Sequence, residues 1–360
     1  MRNGKQPMLE ISAKEAAAKN APDTPLIDIR TAVELQAGTP AGALPTRTED
    51  LLAQCRSPDG GKYKSGFVMC VEGIRSLRLV KQLHAKGFTG FSSVEGGFLA
   101  WQAAGLPIRS PAIQGEEQAQ RYARHLVMPQ VGPHGQGKLL DSSVLLAGLG
   151  GLNSPAALYL AAAGVGRLGL LDDDRVERSN LQRQIIHGEA SLGAGKPLSA
   201  SQRIADLNPD VATVIIQRRL NEDNAEELLQ GWDLVIDGTD NFPARYALND
   251  ACNRLSIPLV YGAVMRFQGQ VSVFDGSPCF RCLMPESPPE QDIPGCSEAG
   301  VLGVMPGIVG TLQASEAIKL LLGLGRPLSG RLLMIDALNM EFRETRIRRK
   351  PDCPTCGTAL

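Results

Sequence analysis

One stretch, residues 143 to 174, limits the possible folds of this chain most strongly: SVLLAGLGGLNSPAALYLAAAGVGRLGLLDDD. It alternates an apolar strand, a glycine-rich turn, a helix and a second apolar strand that ends in acidic residues. Such a unit joins two parallel strands, so it predicts an α/β domain with a mainly parallel sheet. Gly148, Gly150 and Gly151 fall in the turn, where a bare backbone at a helix N-terminus favours a bound phosphate.

The glycine turn alone leaves the ligand open. Asp172 ends the second strand about 20 residues further on, where a carboxylate accepts hydrogen bonds from a ribose. A turn of this composition is as often no more than a tight turn. The dinucleotide fingerprint also has a third glycine where this chain has Asn153. Asn153 therefore weighs against a dinucleotide, and it either crowds the helix against the strand or touches the nucleotide.

The chain is long enough for two domains, with 360 residues. Before the glycine turn, TPLIDIR and SGFVMCV predict buried strands, and SLRLVKQLHAKGF predicts a helix that stops at Gly87. A shift in composition at RSPAIQGEEQAQ indicates a linker. We expect one domain over residues 1–110, a linker over 111–120 and a second domain over 121–360. Residues 284–300 form a proline-rich loop.

Charge and composition exclude several classes of protein. The net charge is −1, which gives no reason to expect a nucleic-acid or membrane-surface partner. No apolar stretch reaches the ~20 residues that span a bilayer, and the N-terminus lacks a signal-peptide core. A cytoplasmic protein is expected. Eight cysteines in that compartment predict metal ligands or reactive thiols rather than disulfides.

Five motifs in the second part of the chain resemble those of the ThiF/MoeB family, bacterial relatives of ubiquitin-activating enzymes. They are RYARHLVMPQVGPHGQGKL, LLDDDRVERSNLQRQIIH, LGAGKP, LVIDGTDN and GVLGVMPGIVGTLQASEAIKLLLG, and they cover roughly residue 116 to the C-terminus. The resemblance implies a Rossmann-like adenylating domain with a mixed, mainly parallel sheet, acting as a homodimer. It also implies ATP-dependent adenylation of the C-terminal Gly-Gly of a ubiquitin-like sulfur carrier protein.

The resemblance assigns roles to residues at matching motif positions. Asp172 would hold the ribose of ATP, Arg183 and Lys196 would bind the phosphates, and Asn180 and Gln182 would lie nearby. The chemistry agrees, because a carboxylate that attacks a phosphate needs cations to screen the approach of two anions.

Further roles follow from the same resemblance. Asp240 would bind Mg²⁺, and Arg124 would reach across the dimer to the partner's ATP. Asp173 and Asp174 are interpreted as solvated charges and left out of the site, and Asp237 as a residue that orients the turn.

Two CxxC pairs stand far apart in the chain, Cys279 with Cys282 and Cys353 with Cys356. Four thiolates suit the closed tetrahedral site of structural Zn²⁺. The spacing is too long for a zinc finger, so it is only suggestive, and two independent turns with free thiols are the alternative. The family has the same two knuckles at the same places, which favours Zn²⁺.

The N-terminal part resembles a single-domain rhodanese, a sulfurtransferase, through LIDIR, VMCVEGIRS and VEGGFLAWQAAGLPI. The resemblance implies that Cys70 carries a persulfide inside a loop of inward N–H groups, with Arg75 adding positive charge and Gly73 permitting the turn. The alternative is a buried core cysteine. Asp28 and Arg30 are expected to hold the scaffold.

This chain departs from the rhodanese pattern at two positions. Thr39 stands where the family often has a histidine, and Glu72 places a carboxylate in the loop. Our hypothesis is that Glu72 favours a persulfide delivered by a protein, such as a cysteine desulfurase, over free thiosulfate. The hypothesis fails if residues 1–110 transfer sulfur rapidly from thiosulfate and Glu72→Gln does not accelerate the reaction.

Together the two domains predict a carrier thiocarboxylate, made when a persulfide attacks an adenylated carboxylate. Cys296, at the crossover-loop position, is predicted either to resolve the transfer through a disulfide or to form a thioester; a passive loop thiol is the alternative. A second reading is a degenerate carrier-docking protein whose rhodanese domain alone is active. A nicotinamide dehydrogenase is a third, but SNLQRQ and TDN have no role in hydride transfer. The sequence does not identify the carrier, and the pathways left open are those of molybdopterin, thiamine, cysteine, tRNA thiolation and sulfur-containing secondary metabolites.

Overall fold

The computed structural model describes residues 8–31, 34–55, 63–109, 115–287 and 300–357. The chain forms two compact units that divide between Gly137 and Lys138. This division lies C-terminal to the expected linker, and the limits proposed for the domains stay a prediction. Among the described residues, no helix is long and apolar enough to cross a membrane.

The first unit contains a five-stranded parallel sheet in the order β1-β6-β5-β2-β4 and an antiparallel pair, β3 with β7. The strands are β1 (Glu10–Ile11), β2 (Leu26–Asp28), β3 (Thr39–Pro40), β4 (Leu44–Pro45), β5 (Gly66–Met69), β6 (Phe91–Val94) and β7 (Ile108–Arg109). The helices are α1 (Ala13–Lys19), α2 (Thr48–Cys55), α3 (Ile74–Ala85), α4 (Gly97–Ala103), α5 (Gly115–Arg121), α6 (Ala123–Leu126) and α7 (Gly132–Asp141), the last of which crosses into the second unit.

Central strand β5 explains the position of Cys70. All four residues of β5 are buried, because apolar side chains cover both faces of this parallel sheet. Cys70 follows the strand directly, and α3 begins at Ile74. The helix ends at Ala85, and Gly87 has a φ of +92°, as its predicted stop requires. The predicted strands and helix around the cysteine are confirmed.

The second unit contains an eight-stranded mixed sheet in the order β10-β9-β8-β11-β12-β13-β14-β15. The strands are β8 (Ser143–Ala147), β9 (Arg167–Leu171), β10 (Ala212–Ile216), β11 (Leu234–Asp237), β12 (Leu259–Met265), β13 (Gln268–Phe274), β14 (Arg331–Asp336) and β15 (Glu341–Arg346). The helices are α8 (Asn153–Ala163), α9 (Lys196–Leu207), α10 (Ala225–Leu229), α11 (Phe242–Leu255), α12 (Phe280–Leu283) and α13 (Val304–Leu322).

The order of these strands determines where a ligand can bind. Strands β8 to β12 pair in parallel, whereas β12 to β15 pair antiparallel, which confirms the predicted mixed sheet. The chain leaves β8 toward β9 on one side and later returns to β11 on the other. At such a reversal the connections part beyond the carboxyl ends of the strands, and a crevice opens there.

Candidate functional sites

A cavity of about 1290 Å³ lies at this reversal in the second unit. The predicted site residues that line it are Gly148, Gly150, Gly151, Asp172, Arg183, Lys196 and Asp240. They come from the glycine turn, the end of β9, the segment around Arg183, the start of α9 and the end of β11. The fold therefore collects residues from five separate segments at one crevice.

Asp172 fastens the glycine turn to the end of β9. Its carboxylate accepts a hydrogen bond from the Leu149 N–H at 2.6 Å and from the Asp174 N–H at 2.9 Å. Burial raises the pKa of the Asp172 carboxyl above its usual value, although the charge of Lys196 and these two N–H donors oppose the rise. A ligand hydroxyl at this position would meet a carboxylate that is already oriented.

Lys196 is the buried cation of the cavity wall and the first residue of α9. Its ammonium lies 2.7 Å from the Asp174 carboxylate and 3.9 Å from that of Asp172. Asp174 therefore belongs to the cavity lining, and its interpretation as a solvated charge outside the site is incomplete. A triple aspartate at a strand end was the available signal. The carboxylates of Asp172 and Asp174 therefore balance the charge of Lys196.

Arg183 and Gln184 continue the cavity wall next to the glycine turn, whereas His187 is buried outside the lining. The Arg183 guanidinium donates to the Ser179 carbonyl at 3.3 Å, and Gln184 lines the cavity beside it. His187 is buried between the Leu149 carbonyl, 3.1 Å from Nε2, and the Ser199 hydroxyl, 2.9 Å from Nδ1. Burial lowers the pKa of His187, so its neutral form is favoured. The sequence analysis missed Gln184 and His187.

Asp237 and Asp240 have different environments at the end of β11. Asp237 is buried, and its carboxylate accepts from the Thr239 N–H at 2.9 Å and the Thr239 hydroxyl at 2.6 Å, which confirms its predicted part in the turn. Asp240 is exposed and lines the cavity. Arg245 also lines it and donates to the Thr239 carbonyl at 2.9 Å, a cation that the sequence analysis missed.

Two predicted residues lie next to the cavity wall rather than on it. Within the described part of the chain, Asn180 and Gln182 are not among the lining residues. The Asn180 carbonyl accepts from the N–H groups of Arg183 and Gln184 at 3.1 and 3.0 Å, so it shapes the segment that carries them. Gln182 is exposed and packs against Gly303, where a Cβ would come within 2.2 Å of the Gln182 carbonyl oxygen.

The remaining catalytic candidates of this domain are outside the cavity lining or outside the described residues. Arg124 is exposed on α6 in the first unit, and its predicted reach across a dimer stays a prediction. Cys296 lies outside the described residues.

Cys70 in the first unit is surrounded by hydrogen-bond donors. Its side chain is 1% exposed, and the Ser76 N–H and the Ser76 hydroxyl each lie 3.4 Å from its Sγ. Burial raises the pKa of the thiol, but the donors from Ser76 and the N–H groups of Glu72 and Arg75 outweigh burial, and the pKa is lowered overall. Cys70 is thus part of the hydrophobic core of this unit and also has inward donors that favour a sulfur anion.

Glycines make the loop around Cys70 possible. Gly73 has a φ of +84°, and a Cβ there would lie 3.0 Å from the Gly96 nitrogen. Gly97 has a φ of +57°, and its Cβ would come within 2.4 Å of the Cys70 carbonyl oxygen. The segment that begins α4 therefore closes on the cysteine loop, which only residues without side chains allow.

Arg75 is tied to the segment that follows β2. Its guanidinium lies 2.7 Å from the Glu34 carboxylate, so part of its predicted positive charge is balanced there. Asp28 and Arg30 form a buried ion pair at 2.7 Å, and Arg30 also donates to the Glu34 and Gly38 carbonyls. As predicted, these two residues hold the scaffold.

The four cysteines of the CxxC pairs meet at one point of the second unit. All four are buried, and their Sγ atoms lie within 4.8 Å of one another. Cys279 and Cys353 are 3.6 Å apart, and Cys282 and Cys356 are 3.4 Å apart. The predicted grouping is confirmed as a cluster that could hold a metal ion.

The cysteine cluster is connected to the cavity by side chains. Arg281, between the two cysteines of the first pair, lines the cavity and donates to the Asp250 carboxylate at 2.6 Å. The Thr355 hydroxyl, between the cysteines of the second pair, donates to the same carboxylate at 2.6 Å. Both knuckles therefore hold Asp250 at the cavity wall.

Two family models match the chain. The model described as the ThiF family matches residues 122–355, and the model described as the rhodanese-like domain matches residues 12–104.

Two proteins with assigned activities are similar to the chain. The sulfur carrier protein adenylyltransferase of Thermus thermophilus is 49% identical over 67% of this chain and 92% of its own length. The mouse adenylyltransferase and sulfurtransferase MOCS3 is 46% identical over 70% of this chain and 55% of its own length.

A solved structure shares the fold. The crystal structure of E. coli MccB with ATP superposes with a TM-score of 0.59, covering 88% of this chain and 86% of that one. Its sequence identity of 19% supports a common fold and no more.

Proposed function

The chain belongs to the ThiF family, and from this premise we propose its function. It adenylates the C-terminal Gly-Gly of a ubiquitin-like sulfur carrier protein with ATP and then transfers sulfur to give the thiocarboxylate. The observation that carries the proposal is the pairing, in one chain, of a ThiF cavity with a rhodanese-like cysteine loop. It supports an enzyme with both adenylyltransferase and sulfurtransferase activity.

In the first half-reaction the carrier carboxylate attacks the α-phosphorus of ATP, the bond to the bridging oxygen breaks, and pyrophosphate leaves. Both reactants are anions, so the cavity must supply positive charge. We assign this role to Lys196 and Arg183, with Arg245 as a further cation of the same wall. Phosphate oxygens would replace Asp174 as partners of the Lys196 ammonium.

Three further assignments orient the nucleotide. Gly148, Gly150 and Gly151 leave the backbone open to the phosphates at the N-terminus of α8. Asp172 would accept from the ribose hydroxyls, because its carboxylate is already held by N–H groups. Asp240 would hold Mg²⁺, which neutralises phosphate charge, and its exposure suits an ion that keeps several waters.

In the second half-reaction the terminal sulfur of a Cys70 persulfide attacks the carbonyl carbon of the acyl adenylate, and AMP leaves. This step forms an acyl disulfide between the carrier and Cys70. We assign Cys296 the resolving role: its thiolate attacks the Cys70 sulfur and releases the carrier thiocarboxylate. A Cys70–Cys296 disulfide remains, and an external thiol reductant returns both cysteines to the reduced form.

The cysteine cluster fits a structural Zn²⁺ ion. Bonds of about 2.3 Å in a tetrahedron place sulfur atoms roughly 3.8 Å apart, close to the 3.4 and 3.6 Å separations of the two paired sulfurs. Cys279, Cys282, Cys353 and Cys356 would hold the ion and join the C-terminal segment to α12.

We also propose that the enzyme is a homodimer, in which Arg124 would reach the partner's ATP. A persulfide donor protein such as a cysteine desulfurase would load Cys70. A cytoplasmic location agrees with the use of cysteine as a reactive thiol and metal ligand.

The proposal is tested with the purified full chain. It is mixed with ATP, Mg²⁺, a persulfide donor and each small Gly-Gly-ended protein encoded by its own host. We expect labelled pyrophosphate to exchange into ATP with one of these carriers. Intact mass spectrometry should then show sulfur in place of one carboxylate oxygen. No exchange with any host carrier would contradict the proposal.

A further inference from the structure

Asn153, which stands where the glycine fingerprint has its third glycine, binds the ends of two strands. It is fully buried at the start of α8. Its Nδ2 lies 2.7 Å from the Gly148 carbonyl oxygen, 3.1 Å from that of Ala147 and 3.4 Å from that of Ile236. One amide therefore joins the glycine turn after β8 to the neighbouring strand β11. It does not line the cavity, so neither expectation for Asn153 describes it fully.

Gln313 on α13 makes the matching contact one strand further along. It is also fully buried, and its Nε2 donates to the Asp237 carbonyl at 2.8 Å and lies 3.2 Å from the Val260 carbonyl. Gln313 thus joins β11 to β12 where Asp237 turns toward Asp240. Helices α8 and α13 pack against each other. From these adjacent helices, Asn153 joins β8 to β11 and Gln313 joins β11 to the first residues of β12.

Each amide lies against a glycine that leaves room for it. A Cβ on Gly238 would lie 2.4 Å from the Asn153 Nδ2, and its three nearest atoms all belong to Asn153. A Cβ on Gly262 would lie 2.5 Å from the Gln313 Cδ, and its three nearest atoms all belong to Gln313. Neither glycine has a positive φ, so each is needed for space rather than for backbone conformation.

The amide oxygens add a second observation. Asn153 Oδ1 and Gln313 Oε1 are buried and have no hydrogen-bond partner in the described structure. An unpaired buried acceptor disfavours the folded state, so apolar side chains would be better core residues at both positions. The two amides therefore contribute through their N–H donors, which point at backbone carbonyls of three neighbouring strands.

We propose that Asn153 and Gln313 are positioning residues of the adenylation site. They hold the carboxyl ends of β8 and β11 and the neighbouring first residues of β12 at a constant spacing. This spacing sets the distance between the glycine turn, which faces the phosphates, and the turn that carries Asp240. The inference rests on the proposed function, because it concerns how the same cavity receives ATP. Asn153 stands where the fingerprint has glycine, and its side-chain amide holds the glycine turn in place.

The amide–glycine contacts allow a sharp test by a double-mutant cycle. In the full chain, Gly238→Ala should displace the Asn153 amide, and Asn153→Gly should remove it. Each should weaken ATP binding at least fivefold, measured as the dissociation constant by calorimetry without a carrier. The double variant should bind ATP no worse than Asn153→Gly alone, because the added methyl group then meets no amide. Gln313→Met, which keeps the size but loses the donor, should also weaken binding.

A matched control separates positioning from stability. Asn208 is a fully buried amide that donates to the Ala161 carbonyl at 2.7 Å, and it does not line the cavity. Asn208→Gly should lower the melting temperature and leave the ATP dissociation constant unchanged. The inference is overturned if Asn153→Gly and Gln313→Met bind ATP like the parent chain. It is equally overturned if the effects of Asn153→Gly and Gly238→Ala multiply, or if Asn208→Gly weakens ATP binding as much as they do.

Calorimetry also keeps the inference distinct from the proposed function. If the parent chain binds ATP but no host carrier supports pyrophosphate exchange, the proposed function fails while the cycle still decides the inference. If Gly238→Ala does not fold, Asn153→Gly and Gln313→Met decide it. A parent chain that does not bind ATP overturns both.

Discussion

The Cys70 loop and the cavity of the second unit both stabilise negative charge, but they do so in opposite ways. Around Cys70 the donors are mainly main-chain N–H groups and one hydroxyl, with the Arg75 guanidinium as a further positive group, and all belong to residues within six positions of Cys70. In the cavity the positive groups are side chains from distant segments, and Lys196 and Arg245 lie next to carboxylates. The loop favours an anion that forms on the protein itself. In the cavity, carboxylates lie beside the cations, and in the proposed function the anionic ATP would compete with them for these cations.

The largest expected effect separates the two regions completely. Cys70→Ala should abolish thiocarboxylate formation, because Cys70 carries the transferred sulfur in the proposed mechanism, and should leave pyrophosphate exchange unchanged. Carrier mass and exchange rate measured on the same preparation test this. Cys252→Ala is the control, since burial raises the pKa of the Cys252 thiol and disfavours its thiolate. Thiocarboxylate from Cys70→Ala would show that the sulfur comes from elsewhere.

The second prediction concerns the paired cations. Lys196→Ala should lower pyrophosphate exchange by about 10²-fold, a loss typical of one electrostatic contact in a transition state. Asp174→Asn removes the partner rather than the cation, so it should change exchange much less and should not raise the KM for ATP. Steady-state exchange at varied ATP measures both. If Asp174→Asn lowered the exchange rate more than Lys196→Ala, the carboxylate of Asp174 would have a role of its own beyond pairing with the Lys196 ammonium.

The third prediction tests whether the cysteine cluster acts on stability or also on the cavity. Cys353→Ser should release the metal and lower the free energy of unfolding by about 4 kcal/mol, as loss of a metal site commonly does. Metal content and thermal unfolding measure this.

Thr355→Val provides the finer variant. It should keep the metal but raise the KM for the carrier several-fold, because Asp250 loses a donor at the cavity wall. An unchanged carrier KM would limit the cluster to a structural role.

The smallest predicted effect concerns the pH dependence of the Cys70 thiol. Hydrogen bonds lower its pKa, so its thiolate persists to lower pH than that of an ordinary cysteine. Ser76→Ala removes the hydroxyl donor and should raise the pKa, which moves the alkylation profile to higher pH and slows alkylation at pH 7 roughly threefold or more. Ser93→Ala is matched, because its hydroxyl bonds to that of Ser76 and not to the sulfur. An equal shift in both variants would contradict the assignment.

The two regions also differ in how far sequence reasoning reached. The Cys70 loop is local, so VMCVEGIRS contained the thiol, the glycine turn and the helix start together. The strand β8, the helix α8 and the two CxxC pairs were likewise predictable, because periodicity and CxxC spacing are short-range signals. That the two pairs meet was implied only by the family resemblance. Asp174, Arg245 and Gln184 were not found, since their place in the cavity depends on how distant turns meet. Asn180 and Gln182 were expected near the nucleotide; neither lines the cavity, and their part in nucleotide binding stays a prediction.

By itself the sequence determined the α/β class, the glycine turn, the position of Cys70 after its strand and the two CxxC pairs. Each depends on neighbours within a few residues or on a motif. Only the tertiary structure decided that Lys196 pairs with Asp174 and that Arg281 and Thr355 both donate to Asp250. It also decided that Asn153 and Gln313 connect three neighbouring strands. The reason is physical: hydrogen bonds and ion pairs act over a few ångströms, and only folding brings groups that are distant in the chain within that range.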